Sequence, residues 1–351
     1  MFSLKKLSLL ALSGSLLLTA CDPKKDDPKV ELPSPSERVY VVNEGNFPSP
    51  DGDISLFNTT TKTVTSTGLY KSVNQGDLGS NPQSMTIIGT KAYLAVTASD
   101  SLNIVNLTDF RHTAGIHLKQ PRYAVAVSAT KAYVTQWNGY VANGTVSIVD
   151  LATNRITGTI STGLGVQPEE ILLGKNGLVY VANSSSNFLT VINPATDAVQ
   201  APIATPDGPK GIVQDNAGNI WVLCGQYVDP NDHIIRFNPA TPATQVNIAV
   251  PSNYSNGNLR LNPAGDKVFV SLGGDSKVAA GIYELPLTAT TLPATPLIRR
   301  NFYGLGIDKD NVIYGGASRG ASNGYASRYT STGTKIDSFQ VGKYPNGFVF
   351  N

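Results

Sequence analysis

The chain has 351 residues, a formal net charge of +2 and only 15% charged residues, against about 25% in an ordinary soluble protein. It has no Lys/Arg stripe of the kind that phosphate neutralisation needs, which excludes nucleic acid as a partner. With 33 Gly, 22 Pro and 15 Tyr against 2 Met, the composition is that of a turn-rich, all-β chain with neutral polar loops.

Residues 1–20 read as a targeting segment rather than as structure. Lys5 and Lys6 form a basic start, and the apolar run Leu7–Leu18 is too short to cross a bilayer. The run ends in Leu18-Thr19-Ala20-Cys21. Residues 21–37 begin Asp22-Pro23-Lys24-Lys25-Asp26-Asp27-Pro28. Such a composition buries no core and reads as a flexible tether. The folded unit is expected over 38–351. Cys21 and Cys224 are the two cysteines, so no disulfide framework is expected. Cys224, inside an apolar strand, reads as a small hydrophobe.

From Arg38 onward one phrase recurs, an aromatic residue within an apolar strand. It appears as Val39-Tyr40-Val41-Val42-Asn43, Ala92-Tyr93-Leu94-Ala95, Ala132-Tyr133-Val134-Thr135, Val179-Tyr180-Val181-Ala182-Asn183, Ile220-Trp221-Val222-Leu223 and Val268-Phe269-Val270-Ser271, with a weaker copy at Val312-Ile313-Tyr314-Gly315. The copies recur every 40–53 residues, a period that suits a propeller blade of four strands. A second, alternating strand follows each copy, as in Thr145-Val146-Ser147-Ile148-Val149. A shorter outer strand comes next, such as Lys335-Ile336-Asp337-Ser338-Phe339.

Before each new unit lies a tight lead-in, most with Pro: Asn81-Pro82-Gln83, Gln120-Pro121-Arg122, Gln167-Pro168-Glu169, Gly208-Pro209-Lys210, Asn256-Gly257-Asn258, Asn301-Phe302-Tyr303 and Tyr344-Pro345-Asn346. The first unit lacks an inner strand, and the last lead-in opens a strand, at 345–350, with nothing after it. Pairing the two closes a seven-bladed β-propeller of four-stranded antiparallel blades, the first blade completed by the C-terminal strand. Closure removes the free edge of an open array. A solenoid would need distinct capping ends instead.

The Tyr-Val-x-Asn phrase, with strands such as Gly144–Asp150, resembles the YVTN-type (YncE-like) seven-bladed propellers of secreted bacterial proteins. Leu18–Cys21 resembles the lipobox of bacterial lipoproteins, which implies palmitate-type lipidation of Cys21. Lys25-Asp26-Asp27 resembles a surface-export signal of Gram-negative lipoproteins; a merely solvated charge run is the alternative. The opening Val39–Phe47, followed by Gly52–Phe57, resembles a group of surface propeller lipoproteins that includes the BtuG-type cobalamin-capture proteins. That resemblance implies an outer-membrane protein, lipid-anchored and facing outside the cell. It would capture a soluble ligand, a corrinoid such as cobalamin, for a TonB-dependent outer-membrane transporter. No cobalamin-contact motif matches residue by residue, so no site is carried over.

In a propeller, residues just after each lead-in ring the central channel: Gln83, Arg122, Glu169, Lys210, Asn258, Tyr303 and Asn346. Surrounding loops add Glu44, Phe47, Trp137, Tyr140, Tyr227 and Tyr254. Aromatic planes with amides and a few charges suit a large polar organic ligand, because rings supply area and amides fix orientation. Two alternatives stay open. One is a cell-surface module that binds protein or glycan. The other is a metal-dependent, lactonase-like hydrolase, the one reading that would call for Ca²⁺. Glu169 is the sole acid among the ring positions, beside Arg122 and Lys210, and His112, His117 and His233 are scattered. No catalytic residue, metal ligand or resident cofactor is therefore expected, and the chain is read as a binding protein rather than an enzyme.

Overall fold

The aromatic-Val phrases form strands whose two faces are both covered. Arg38–Asn43 and Val179–Asn183 are buried at every position, and Lys91–Val96, Lys131–Gln136 and Lys267–Leu272 at every position but the first. A strand enclosed on both sides needs a continuous apolar run, which is why these segments do not alternate. The computed structural model describes residues 31–139, 142–164, 166–225, 231–251, 255–275 and 277–351. Cys21, Tyr140, Tyr227 and Tyr254 lie outside the described residues.

The repeated aromatics pack one sheet onto the next. Tyr40, Tyr133, Trp221 and Tyr314 are wholly buried, and Tyr93, Tyr180 and Phe269 nearly so. Tyr93 shares a cluster with Val134 and Val149 of the following sheet, and Trp221 with Leu259, Val270 and Tyr283. Burying a large apolar side chain contributes about 1.5–3 kcal/mol. Several of their polar tips are satisfied as well. Trp221 Nε1 donates to Asp215 at 2.8 Å and the Tyr314 hydroxyl to Asp308 at 3.0 Å, each acid standing six residues earlier. Cys224 is buried with a free thiol, and burial pushes its pKa up.

The described residues form six hydrogen-bonded sheets, where seven separate four-stranded sheets were expected. Three have four strands, one five, one three and one eight. The eight-stranded sheet runs Lys335–Gln340, Ser322–Tyr329, Ile313–Arg319, Gly304–Ile307, Pro345–Phe350, Arg38–Asn43, Asp53–Asn58, Thr63–Ser66. The C-terminal strand thus pairs antiparallel with the first, Tyr40 facing Val349 and Val41 facing Phe348. It is joined to Gly304–Ile307 by one parallel contact, Leu305 to Gly347. Glycines permit that approach: a Cβ on Gly304 would lie 2.5 Å from the Pro345 carbonyl oxygen, and one on Gly306 would lie 2.6 Å from Phe348 Cβ.

Proline accounts for two further departures. The three-stranded sheet, Ser255–Leu261, Lys267–Leu272 and Gly281–Pro286, lacks the expected outer strand. The segment after it carries Pro293 and Pro296 and makes a single bridge, Ile282 to Ile298. In the five-stranded sheet the outer strand is split into Ala198–Val199 and Ile203–Ala204, on either side of Pro202. Proline has no N–H to give a ladder. A short helix, Leu69–Asn74, which the strand pattern had not suggested, packs Leu69 and Tyr70 inward. The Asp53 carboxylate receives its first backbone N–H groups, from Tyr70 at 2.8 Å and Lys71 at 3.1 Å.

Seen from strand to strand, Pro82–Ile88 touches Pro121–Ala126, which touches Pro168–Leu173, then Pro209–Gln214, Ser255–Leu261, Gly304–Ile307 and Pro345–Phe350, which returns to Pro82–Ile88. Each lead-in proline faces the last residue of the strand that follows: Pro82 and Val96, Pro121 and Gln136, Pro168 and Asn183, Pro209 and Cys224. The lead-ins and the turns that follow the aromatic strands, such as 97–100, therefore gather at one face, and the other hairpin turns, such as 127–130 and 215–219, at the opposite, hairpin face. On the hairpin face, lysines fasten several sheets to the next. Lys131 Nζ donates to the Pro194 carbonyl at 2.6 Å, and Lys175 Nζ to that of Asp215 at 2.8 Å.

Candidate functional site

The register breaks just after the lead-in at sheet after sheet. It shifts between Pro82 and Ser84, Pro121 and Ala124, Pro168 and Ile171, Pro209 and Gly211, and Ser255 and Leu259. Another irregularity lies where Asn43 meets Pro345 and Val42 meets Gly347. A bulge takes its extra residues out of the ladder and re-aims their side chains. The residues set free are Gln83, Arg122 with Tyr123, Glu169 with Glu170, Lys210, Asn258 and Asn346. Left-handed backbone precedes several of the prolines, with φ of 58° at Asn81, 45° at Gln120, 70° at Gly208 and 53° at Tyr344. Only glycine adopts such a φ without a steric cost.

Most of the expected ring residues meet in one polar network. The Arg122 guanidinium grips Glu169 with two bonds of 3.1 Å, donates to Thr97 Oγ1 at 3.2 Å and lies 4.1 Å above the Trp137 ring. Glu170, beside Glu169, accepts from Arg260 at 2.8 Å and from the Ile212 N–H at 3.0 Å. On another arc, Glu44 accepts the Tyr303 hydroxyl at 2.6 Å and Asn346 Nδ2 at 2.8 Å. Asn346 Nδ2 also reaches the Gln83 carbonyl at 3.0 Å. Asn258 Nδ2 donates to the Tyr303 carbonyl at 2.8 Å, and Gln83 Nε2 to the Tyr123 hydroxyl at 2.9 Å. The two arcs meet at one bulge, where Arg122 grips Glu169 and its neighbour Tyr123 accepts from Gln83.

Burial governs the charges here. It raises the Glu44 carboxyl pKa despite the Tyr303 and Asn346 donors and the nearby Arg122. It raises Glu169 despite the Arg122 clamp. It lowers Lys210, against the attraction of Asp232 and Glu169, while Lys210 Nζ donates to the Gly225 carbonyl at 3.2 Å. Burial and the adjacent Glu44 together raise Tyr303. Each carboxylate in the network is met by a cation or by neutral donors, so the ring carries internally compensated charge.

Phe47 is not brought into this network. It stands 77% exposed on the loop after Glu44. That loop is braced by Asp51, which accepts from the Asn46 N–H at 2.6 Å and from Lys343 Nζ at 2.8 Å. Thr97, Tyr123, Glu170 and Arg260 join the network without having been singled out in the sequence. Tyr123 and Glu170 are second residues of two-residue bulges, so extending each lead-in by one position would have found them. Arg260 stands in the ladder just after the bulge that frees Asn258, opposite Phe269. The histidines lie elsewhere: His112 and His117 are exposed, and His233 pairs with Asn247 Oδ1 at 3.0 Å. Among the described residues, no group of three or more His, Cys, Asp or Glu could hold a metal ion.

Solved structures share the architecture. A quinonprotein alcohol dehydrogenase-like protein of Bacteroides thetaiotaomicron superposes with a TM-score of 0.68 at 14% identity, over 90% of this chain and 78% of that one. A candidate 6-phosphogluconolactonase of Bacteroides fragilis gives 0.62 at 13%, over 92% and 100%. A catalytically inactive variant of the virginiamycin B lyase of Staphylococcus aureus, solved with quinupristin, gives 0.56 at 13%, over 89% and 98%. At such identities the likeness is one of fold, a propeller-like all-β architecture shared by proteins of varied activity. No curated protein matches this chain in sequence. Residues 37–351 match the family model described as domain of unknown function (DUF5074), and the chain belongs to that family.

Proposed function

We propose that this chain is a seven-bladed propeller, lipid-anchored through Cys21 at the outer membrane and facing outside the cell. It captures a soluble organic ligand at the lead-in face without turning it over. The observation that carries the reading is the ring of bulged residues, with charges compensated from within. Arg122 is committed to Glu169 and Arg260 to Glu170, while amides and phenols at Gln83, Asn258, Asn346, Tyr123 and Tyr303 supply neutral hydrogen-bonding groups. Such a surface favours a neutral, amide- or hydroxyl-rich ligand over a bare anion or cation, since binding either ion there would mean breaking a compensated pair.

For the blade count, the eight-stranded sheet is read as two blades fused at the Leu305–Gly347 contact. The closed circuit of inner-strand contacts supports that division. For the ligand, the resemblance of the opening segment makes a corrinoid the first to test, with a TonB-dependent transporter as recipient. A hydrolase or lyase, as among the structural relatives, would need a free acid, base or metal site. Here Glu44, Glu169 and Glu170 are held by donors, and the histidines lie off the ring.

Calorimetric titration of the chain with cyanocobalamin tests the reading. Saturable heat, lost in Arg122→Met and Tyr303→Phe, is the expected result. No heat and no spectral change at micromolar protein would remove the corrinoid. Capture of glycans on an array by the same face would favour the surface-adhesion alternative.

A further inference from the structure

The chain enters the propeller at the face opposite the ring. Arg38 faces Asn58 at the hairpin-turn end of its strand, whereas Asn43, at the other end, meets the lead-in residue Pro345. The segment before Arg38 is fastened at that hairpin end. Arg38 Nε donates to the Pro33 carbonyl at 2.7 Å, and Arg38 Nη1 donates to the carbonyl of Leu107, in a neighbouring hairpin turn. Ser34 N–H donates to Glu37 at 3.2 Å, which tightens the same turn. Pro33 is thus held at the hairpin face.

Covalent reach then limits how the domain can stand on a bilayer. Twelve residue steps join Cys21 to Pro33, and fully extended they span at most about 40–43 Å. The six-residue strand Arg38–Asn43 puts about 20 Å between the two faces before the loops are counted. Two more strands, Asp53–Asn58 and Thr63–Ser66, lie between it and the rim, adding about 10 Å at the usual strand spacing. A tether led round the rim would use most of its length just to draw level with the ring, with the entropy of a stretched chain opposing it.

We infer that the hairpin-turn face is the one turned toward the lipid surface and that the polar ring opens away from it. This orientation rests on the lipid-anchor reading of Cys21 and on nothing about the ligand. It comes from chain reach rather than from a basic patch. The hairpin face mixes Lys309 with Asp310 and Arg111 with Asp109.

The test uses the full-length lipidated chain in liposomes carrying a lipid-borne fluorescence quencher. Single cysteines report the two faces: Ala98→Cys beside the lead-ins, Ala129→Cys and Ala217→Cys in hairpin turns, all exposed positions. Buried Cys224 does not compete for label. Several-fold stronger quenching at 129 and 217 than at 98 is expected. Inserting twenty Gly/Ser residues after Pro28 should erase most of that difference. Equal quenching, stronger quenching at 98, or a difference unmoved by the longer tether would overturn the orientation. Cys21→Ser separates the two claims. If that variant leaves the membrane fraction while the native chain stays, the anchor stands and quenching judges the orientation alone. If the native chain is itself found off the membrane, the anchor and this inference fall together.

Discussion

Glu169→Gln perturbs the ring at its most buried charge pair. The side chains of Arg122 and Glu169 are each only 10% exposed. Glutamine keeps the shape but strands the guanidinium, which then retains Thr97 Oγ1 and the Trp137 face alone. Removing one partner of a buried pair costs about 3–5 kcal/mol, because the other charge stays desolvated. Taking roughly 2–3 °C per kcal/mol for a large domain, the melting temperature should fall by about 6–15 °C. Desolvation of both ions offsets their attraction in a buried pair, so the pair as a whole is expected to add little stability. Arg122→Met with Glu169→Leu, which removes both charges, should therefore melt within about 2 kcal/mol of the native chain. Calorimetric melts of the native, single and double variants check this. A single variant within about 2 °C of native, or a double variant as unstable as the single, would refute the argument.

Tyr303→Phe deletes the 2.6 Å bond to Glu44; it should cost about 1–3 kcal/mol by thermal melt and raise the Glu44 pKa further, since that bond lowers it. Deleting residues 345–351 strips Val39–Asn43 of its antiparallel partner and exposes a sheet edge; loss of the cooperative melt with aggregation is expected, and a soluble monomer with the native melting temperature would count against ring closure. Burial pushes Asp53 up to about 6 despite three backbone N–H donors. Its folded value lies above the unfolded one, so its stabilisation is complete below about pH 4 and lost as pH rises through 6. The melting temperature of the native chain should thus decline from pH 4 to 6.5 relative to Asp53→Asn, and parallel profiles would contradict the assignment.

Much of the architecture was legible from short-range chemistry. The aromatic-Val strands are written by composition because a strand buried on both faces tolerates little else. The lead-in prolines mark strand starts because φ is preset there. The pairing of 345–350 with Arg38–Asn43 followed from two incomplete units at opposite ends of the chain. The sheet count was less legible. Whether Gly304–Ile307 and Pro345–Phe350 join depends on how closely two backbones approach, which the glycines permit but do not announce. Pro202, Pro293 and Pro296 were visible, yet whether an outer strand would survive them depended on the neighbouring sheet.

For the site, sequence alone determined which residues follow each lead-in, because that is a matter of local punctuation. It could not determine their partners. Tyr303 and Glu44 are 259 positions apart, Arg260 and Glu170 are 90 apart, and Arg122 and Glu169 are 47 apart. Packing of the inner strands against one another, and for Tyr303 and Glu44 the pairing of the chain's two ends, brings them within a hydrogen bond. Only the bulges decide that two side chains, not one, leave the ladder at Arg122-Tyr123 and Glu169-Glu170. The tertiary structure also decided the electrostatics. A charge read from a sequence has a sign but no dielectric, and only the fold pairs Arg122 with Glu169 and Arg260 with Glu170 and leaves Glu44 to neutral donors.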